Sequence, residues 1–170
     1  MTIREIRLFG DPVLTSRARE VTEFDGSLRT LIDDMLDTMD AAGGVGLAAN
    51  QIGLLKRVFV YDCSHVEAGL RGAIINPVWQ PWGDKMQVGP EGCLSIPDIS
   101  AETQRHFSVV VRGQDVEGRA VALQASGLMA RCIQHETDHL DGVLFLKRLE
   151  PEIRKEAMGL IRTADWFKEN

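Results

Sequence analysis

Apolar positions recur along this chain in two rhythms. Across residues 25–42, Leu28, Leu31, Ile32, Met35, Leu36 and Met39 fall at three- and four-residue spacing, while Asp33, Asp34, Asp37 and Asp40 mostly take the other faces. That period predicts an amphipathic helix whose methionines pack in the core. Asp25 or Ser27 can cap its start, and Gly43-Gly44 ends it. A second helix is predicted from Ser126, as cap, to Gly142, as stop. A third opens at Pro151 and turns Ile153, Ala157, Leu160, Ile161 and Ala164 inward, with Trp166 and Phe167 docking its end.

Elsewhere the pattern is strand-like. Residues 57–61 and 73–76 are rich in β-branched and aromatic side chains, the latter run closed by Pro77. Phe107, Val109 and Val111 alternate with Ser108 and Arg112, and Val121 and Leu123 repeat the alternation after a turn at residues 115–118. This predicts an antiparallel hairpin. Residues 3–9 are expected to form a short extended arm ending at Gly10-Asp11-Pro12, and the glycine- and proline-rich residues 79–90 a loop. Val143 to Leu146 is a short apolar run. The expected fold class is α+β: antiparallel sheet segments around the helix that starts at Ser126, with an N-terminal helix and a C-terminal helix packed outside.

A length of 170 residues supports one core of ordinary size, so residues 1–170 read as a single domain without repeats, low-complexity segments or linkers. The 19 basic and 25 acidic residues give a net charge of −6 without a basic cluster, which argues against direct nucleic-acid binding. The first residues lack the apolar stretch of a signal peptide, and no apolar run approaches membrane-spanning length. A cytoplasmic protein that binds no membrane is expected. Cys63, Cys93 and Cys132 are widely spaced with no disulfide rhythm, and Cys63 reads as core filler.

The chemistry gathers in Gln134-His135-Glu136-Thr137-Asp138-His139. Histidines four apart on a helix share a face, with backbones about 6 Å apart, and their side chains can close around one metal ion. Glu136 between them is placed to take a proton from a metal-bound water. A catalytic tetrahedral site needs a third protein ligand. Cys132, Cys93, Cys63, His65, His106 and the carboxylates are candidates. Cys132 shares a face with His135 but lies about 10 Å of helix from His139. Cys93 arrives on a separate glycine-preceded segment and can approach the open side of the pair. The segment from Gly43 to Gly53 is small in its side chains and lets backbone or ligand approach closely, although a tight strand passing a helix explains it equally well. It lacks the lysine and spacing of a phosphate loop.

Three stretches, Gly44-Val45-Gly46-Leu47-Ala48-Ala49-Asn50-Gln51, Glu91-Gly92-Cys93-Leu94-Ser95 and Gln134-His135-Glu136-Thr137-Asp138-His139-Leu140, resemble, in order, the three motifs of the peptide deformylases. Gly10-Asp11-Pro12-Val13-Leu14 resembles that family's N-terminal stretch, and the likeness covers nearly the whole chain. The resemblance implies a metal-dependent hydrolase that removes the formyl group from the N-terminal formyl-methionine of newly synthesised polypeptides and releases formate. It implies that Cys93, His135 and His139 hold the metal and that Glu136 is the general base that later protonates the leaving amine. It implies that the Gln51 amide and the Leu94 backbone N–H hold the formyl oxygen. By the same likeness, Val45 and Gly46 pair with an extended substrate, Leu128, Arg131 and Cys132 line the methionine pocket, and Glu91 pairs with Arg105 near the site. Iron(II) is the family's typical ion, and the donors also suit zinc, nickel or cobalt. The partners expected are formyl-methionyl nascent peptides, met at the ribosome, and the expected state is a monomer.

Two departures bear on substrate preference. Several relatives carry an arginine where this chain reads Pro97-Asp98-Ile99-Ser100, and some have an apolar residue where it has Arg131. Two other readings compete: a zinc endopeptidase, which would leave Cys93 unused, and a non-catalytic module stapled by metal, which would need neither Glu136 nor Gln51.

Overall fold

The structure is a computed structural model, and it describes residues 2–169. Helix α1 spans Gly26–Ala42, with the Asp25 side chain accepting from the Leu28 N–H at its start and Gly43 in the left-handed region at its end. Strands β1 (Gly46–Ala48), β2 (Val58–Asp62) and β3 (Arg71–Pro81) follow, then β4 (Met86–Cys93) and β5 (Ile96–His106), then β6 (Ser108–Gln114) and β7 (Ala120–Ser126). Helices α2 (Gly127–Leu140), α3 (Pro151–Thr163) and the short α4 (Asp165–Lys168) complete the chain.

Five strands form one antiparallel sheet in the order β1-β2-β3-β6-β7, and β4 and β5 form a separate antiparallel ribbon. Successive strand residues point to opposite faces, and the sheet uses both. Val58, Val60 and Ile75 join Leu28, Met35 and Met39 of α1 in one apolar cluster, whereas Phe59, Ile74, Val109 and Val111 join Met129, Ala130 and Ile133 of α2 in another. The sheet is therefore sandwiched between α1 and α2. A third cluster packs Ile96 and Ile99 of β5 against Phe145, Leu146, Ala157 and Ile161. The N-terminal arm is tied down by its backbone, with Arg7 N–H donating to the Gln51 carbonyl and Phe9 N–H to the Ser95 carbonyl.

The α+β architecture and the hairpin of β6 and β7 agree with the sequence reading. Several local expectations do not. Residues 79–90 are mostly strand, because Gly89 and Pro90 sit on a two-stranded ribbon where the lost donor and missing side chain cost little. β5 lacks an apolar alternation because two of its buried positions are the polar Thr103 and Arg105, on either side of exposed Gln104. Ser126 does not cap α2 with its side chain; its hydroxyl pairs with Ser108 across the hairpin, and Gly127 has φ of 60°. Leu160 is about half exposed, and Ile161 carries that face of α3 inward. No described helix is long and apolar enough to cross a membrane.

Candidate metal centre

Helix α2 carries the two histidines on one face, and its period brings their Nε2 atoms to 3.2 Å. Cys93 closes β4 beyond a register shift between Gly92 and Cys93. The shift turns its sulfur toward the helix, 3.3 Å from His139 Nε2. Ligand atoms of Cys93, His135 and His139 all lie within 4.8 Å of one another. Two imidazoles and a thiol are donors that suit zinc, iron(II), nickel or cobalt.

The surroundings fit a metal. Glu91 Oε2 lies 2.7 Å from His135 Nδ1, which leaves Nε2 as the ring atom facing the other two donors. A carboxylate in that position fixes the tautomer and orientation of a ligating imidazole. Burial works to raise the Glu91 carboxyl, but hydrogen bonds with His135 and Arg105 outweigh it and hold the group well below the usual carboxylate range. Arg105 grips Glu91 through Nε at 3.0 Å and a terminal nitrogen at 2.6 Å, and reaches Asp138 at 2.7 Å with the other. Arg131 adds a 2.8 Å bond to Glu91 and a 3.0 Å bond to the Thr103 carbonyl. Arg148 holds the outer side of Asp138, at 3.1 and 2.8 Å. The network ties β4, β5, α2 and the turn of residues 145–148 around the histidines.

Glu136 is buried, and its Oε2 has no hydrogen-bond partner among the described residues. Burial pushes its carboxyl up to about 7. A carboxyl tuned toward neutrality is suited to exchange protons at working pH. Gln51, also buried, is oriented from both ends. Its Oε1 accepts from the Ala48 N–H at 3.0 Å, while Nε2 donates to Ser95 Oγ at 3.1 Å and lies 3.6 Å from Cys93 Sγ.

These groups border a cavity of about 790 Å³. Its wall includes Val45 and Gly46 on one side, Leu94 beside Cys93, and Leu128, Arg131 and Cys132 on the helix side. Each of the residues expected at the site from the sequence therefore lies in this wall or, for His139, directly behind it. Cys132 gives its thiol to the Val45 carbonyl at 3.6 Å instead of facing His139. The other third-ligand candidates lie elsewhere: Cys63 is buried in the core, His65 is exposed, and His106 packs at a tilt against Trp79. Sequence reasoning noted Glu91 with Arg105 but missed Asp138, Arg148, Thr103 and Ser95. Asp138 lies within the histidine motif, three residues after His135, and that position was the available signal.

Comparison with known proteins identifies the family. A model of the polypeptide deformylase family matches residues 3–155. Peptide deformylase 1 of Corynebacterium efficiens is 69% identical over 167 residues, covering 98% of this chain and 99% of its own, and peptide deformylase 1 of Corynebacterium glutamicum is 68% identical over the same length. Among solved structures, peptide deformylase from Thermus thermophilus aligns with a TM-score of 0.87 at 43% identity, over 94% of this chain and 93% of its own. The Synechococcus elongatus enzyme in complex with actinonin aligns with a TM-score of 0.88 at 38% identity, over 98% and 92%. A cysteine and two histidines converging beside a buried glutamate, in a chain this similar over nearly all its length, establish that it is an enzyme and belongs to the polypeptide deformylase family.

Proposed function

We propose that this chain removes the formyl group from the N-terminal formyl-methionine of newly made polypeptides, as a cytoplasmic monomer working at the ribosome, with Cys93, His135 and His139 as ligands of one divalent ion. The observation that carries the reading is the meeting of those three donors with Glu136 and Gln51 at one cavity wall. Iron(II) is the ion assigned, with zinc, nickel or cobalt able to use the same donors. When bound, the ion supplies Lewis acidity and lowers the pKa of a water to near neutrality.

The remaining work falls to side chains and backbone. Glu136 accepts a proton from the attacking water as oxygen bonds to the formyl carbon, then delivers it to the amine nitrogen as the C–N bond breaks. Formate and a free N-terminus result. Gln51 Nε2 and the Leu94 N–H donate to the formyl oxygen as negative charge builds there, and the bond that Gln51 accepts from the Ala48 N–H and the one it gives to Ser95 Oγ hold its amide in place. β1 is an edge strand of the sheet and borders the cavity. Backbone at Val45 and Gly46 therefore suits an extended peptide added as a further strand, a mode that reads main chain more than sequence. Leu128, Arg131 and Cys132 receive the methionine side chain.

The test is formate release from a formyl-methionyl peptide by protein purified without oxygen, with metal content measured on the same sample. Turnover lost on chelation and restored by iron(II) is expected. Metal-loaded protein that releases no formate overturns the proposal, and cleavage of internal peptide bonds by that sample replaces it with an endopeptidase.

A further inference from the structure

A second concavity, of about 570 Å³, shares no wall residue with the metal cavity. Arg17, Arg19 and Arg57 line it together with the apolar Ala18, Pro77 and Val78. Backbone pairing assembles the wall: the Arg19 N–H donates to the Leu55 carbonyl at 3.0 Å, and the Arg57 N–H to the Arg19 carbonyl at 2.9 Å. Arg19 and Lys56 thereby form a parallel bridge. Ala18 is buried while Arg17 and Arg19 are exposed, so both guanidinium side chains leave this segment toward solvent. The fold gathers at one place four cations that the sequence keeps in two separate pairs.

These cations differ in what already holds them. Arg57 is fixed by bonds to the Leu140 carbonyl at 3.0 Å and to Asp141 Oδ1 at 2.9 Å, and its guanidinium has further N–H groups to give. Arg17, Arg19 and Lys56 are exposed, and their side chains have no hydrogen bond or ion pair among the described residues. Against the four stand Glu20 in the wall and Asp141, which is already paired with Arg57. The local surplus is positive in a chain of net charge −6. Guanidinium groups match phosphate oxygens in geometry and charge. The wall offers little that could read a base: no described aromatic ring lines it, and the Asn76 amide is spent on Val21 and Gln114. Cations without base-reading groups bind backbone and not sequence.

We propose that this concavity binds the sugar-phosphate backbone of single-stranded nucleic acid without regard to base, with Arg57 as the fixed anchor and Arg17, Arg19 and Lys56 pairing with phosphates. The inference does not depend on the deformylase reading, because the two cavities share no residue. The test is fluorescence anisotropy of labelled oligouridylate and oligothymidylate, each about ten nucleotides long, titrated with metal-loaded protein. Neutralising about three phosphates gives log K a slope of about −2 against log salt, so raising salt from about 20 to about 60 mM should weaken binding roughly tenfold. Arg17→Gln combined with Arg19→Gln should reduce the slope to about −0.7, and Lys56→Gln alone to about −1.4. Arg154→Gln combined with Lys155→Gln removes the same charge from exposed positions on α3 and should leave the wild-type slope. The substituted side chains are all exposed, so each variant should keep the wild-type urea midpoint. The two oligomers should bind alike. Absence of binding at about 20 mM salt, a slope untouched by the substitutions at Arg17, Arg19 and Lys56, an equal loss in the α3 variant, or a preference of about tenfold between the oligomers overturns the proposal.

Discussion

Gly46 and Glu136 are in such close approach that a Cβ on the glycine would lie 2.6 Å from the carboxylate Oε1 and 2.8 Å from Cys132 Sγ. The edge strand and the histidine helix therefore meet at a point where only hydrogen fits. Gly46→Ala should displace the carboxylate, and misplacement of a catalytic group by about 1 Å can cost on the order of 100-fold in rate. Formate-release kinetics should show a kcat loss of at least tenfold, while metal content stays normal because no ligand is touched.

Glu136→Gln keeps the shape of the side chain and removes its basicity. Loss of a positioned general base costs on the order of 10²- to 10⁴-fold. Turnover should fall by that much with metal occupancy retained, as read by elemental analysis and formate release on one preparation. A variant of near-normal activity would remove Glu136 from the proton path.

Cys93→Ala should act on the ion itself. Only two of the three donors that meet in the structure would remain, and a lost ligand lowers metal affinity steeply. Dialysed protein should carry well under half of the wild-type metal, and a variant with full occupancy would exclude Cys93 as a ligand.

The arginine between Glu91 and Asp138 is 4% exposed. Its removal leaves Glu91 with only Arg131 and Asp138 with only Arg148, and breaking a buried ion pair typically costs about 3–5 kcal/mol. Arg105→Ala should lower the urea midpoint accordingly. It should also weaken metal retention, because Glu91 would lose its two-point grip from Arg105 and keep only the Arg131 bond while still orienting His135.

At the end of β2, hydrogen bonds from the Ser64 side chain and backbone, with Arg71 beside them, lower the Asp62 carboxyl from its ordinary 3.8 to about 2. A carboxyl depressed in the folded state stabilises above its unfolded pKa, and that contribution is lost as pH falls through the folded value. The difference in urea midpoint between wild type and Asp62→Asn should therefore be constant above about pH 5 and narrow as pH falls from about 4 toward 2.

How legible the molecule was in its sequence depended on whether a feature was local. α1 was readable from Leu28, Leu31, Met35 and Met39 because one helix face is buried in one core. His135 and His139 were readable because helical period alone juxtaposes them. Cys93 needed more: spacing left several donors open, and only the likeness to known motifs favoured it strongly, because a register shift between two strands aims its sulfur. The ribbon of β4 and β5 was hidden because its buried positions include Thr103 and the charged residues Glu91 and Arg105, which are satisfied by each other and by Arg131, His135 and Asp138 of a later helix. No periodic pattern of apolar residues marks such a strand. The network through Asp138 and Arg148 was illegible for the same reason.

The C-terminal helix contributes no side chain to the cavity wall. Yet Ala157 and Ile161 belong to the same apolar cluster as Ile96, and Cys93 packs against that cluster. The sulfur-bearing hairpin thus leans on a segment synthesised some 60 residues after it. While the chain is being translated, its cysteine strand lacks this buttress until α3 has left the exit tunnel. An enzyme assigned to the first residue of other nascent proteins completes its own centre only after a helix that follows the last histidine has been made.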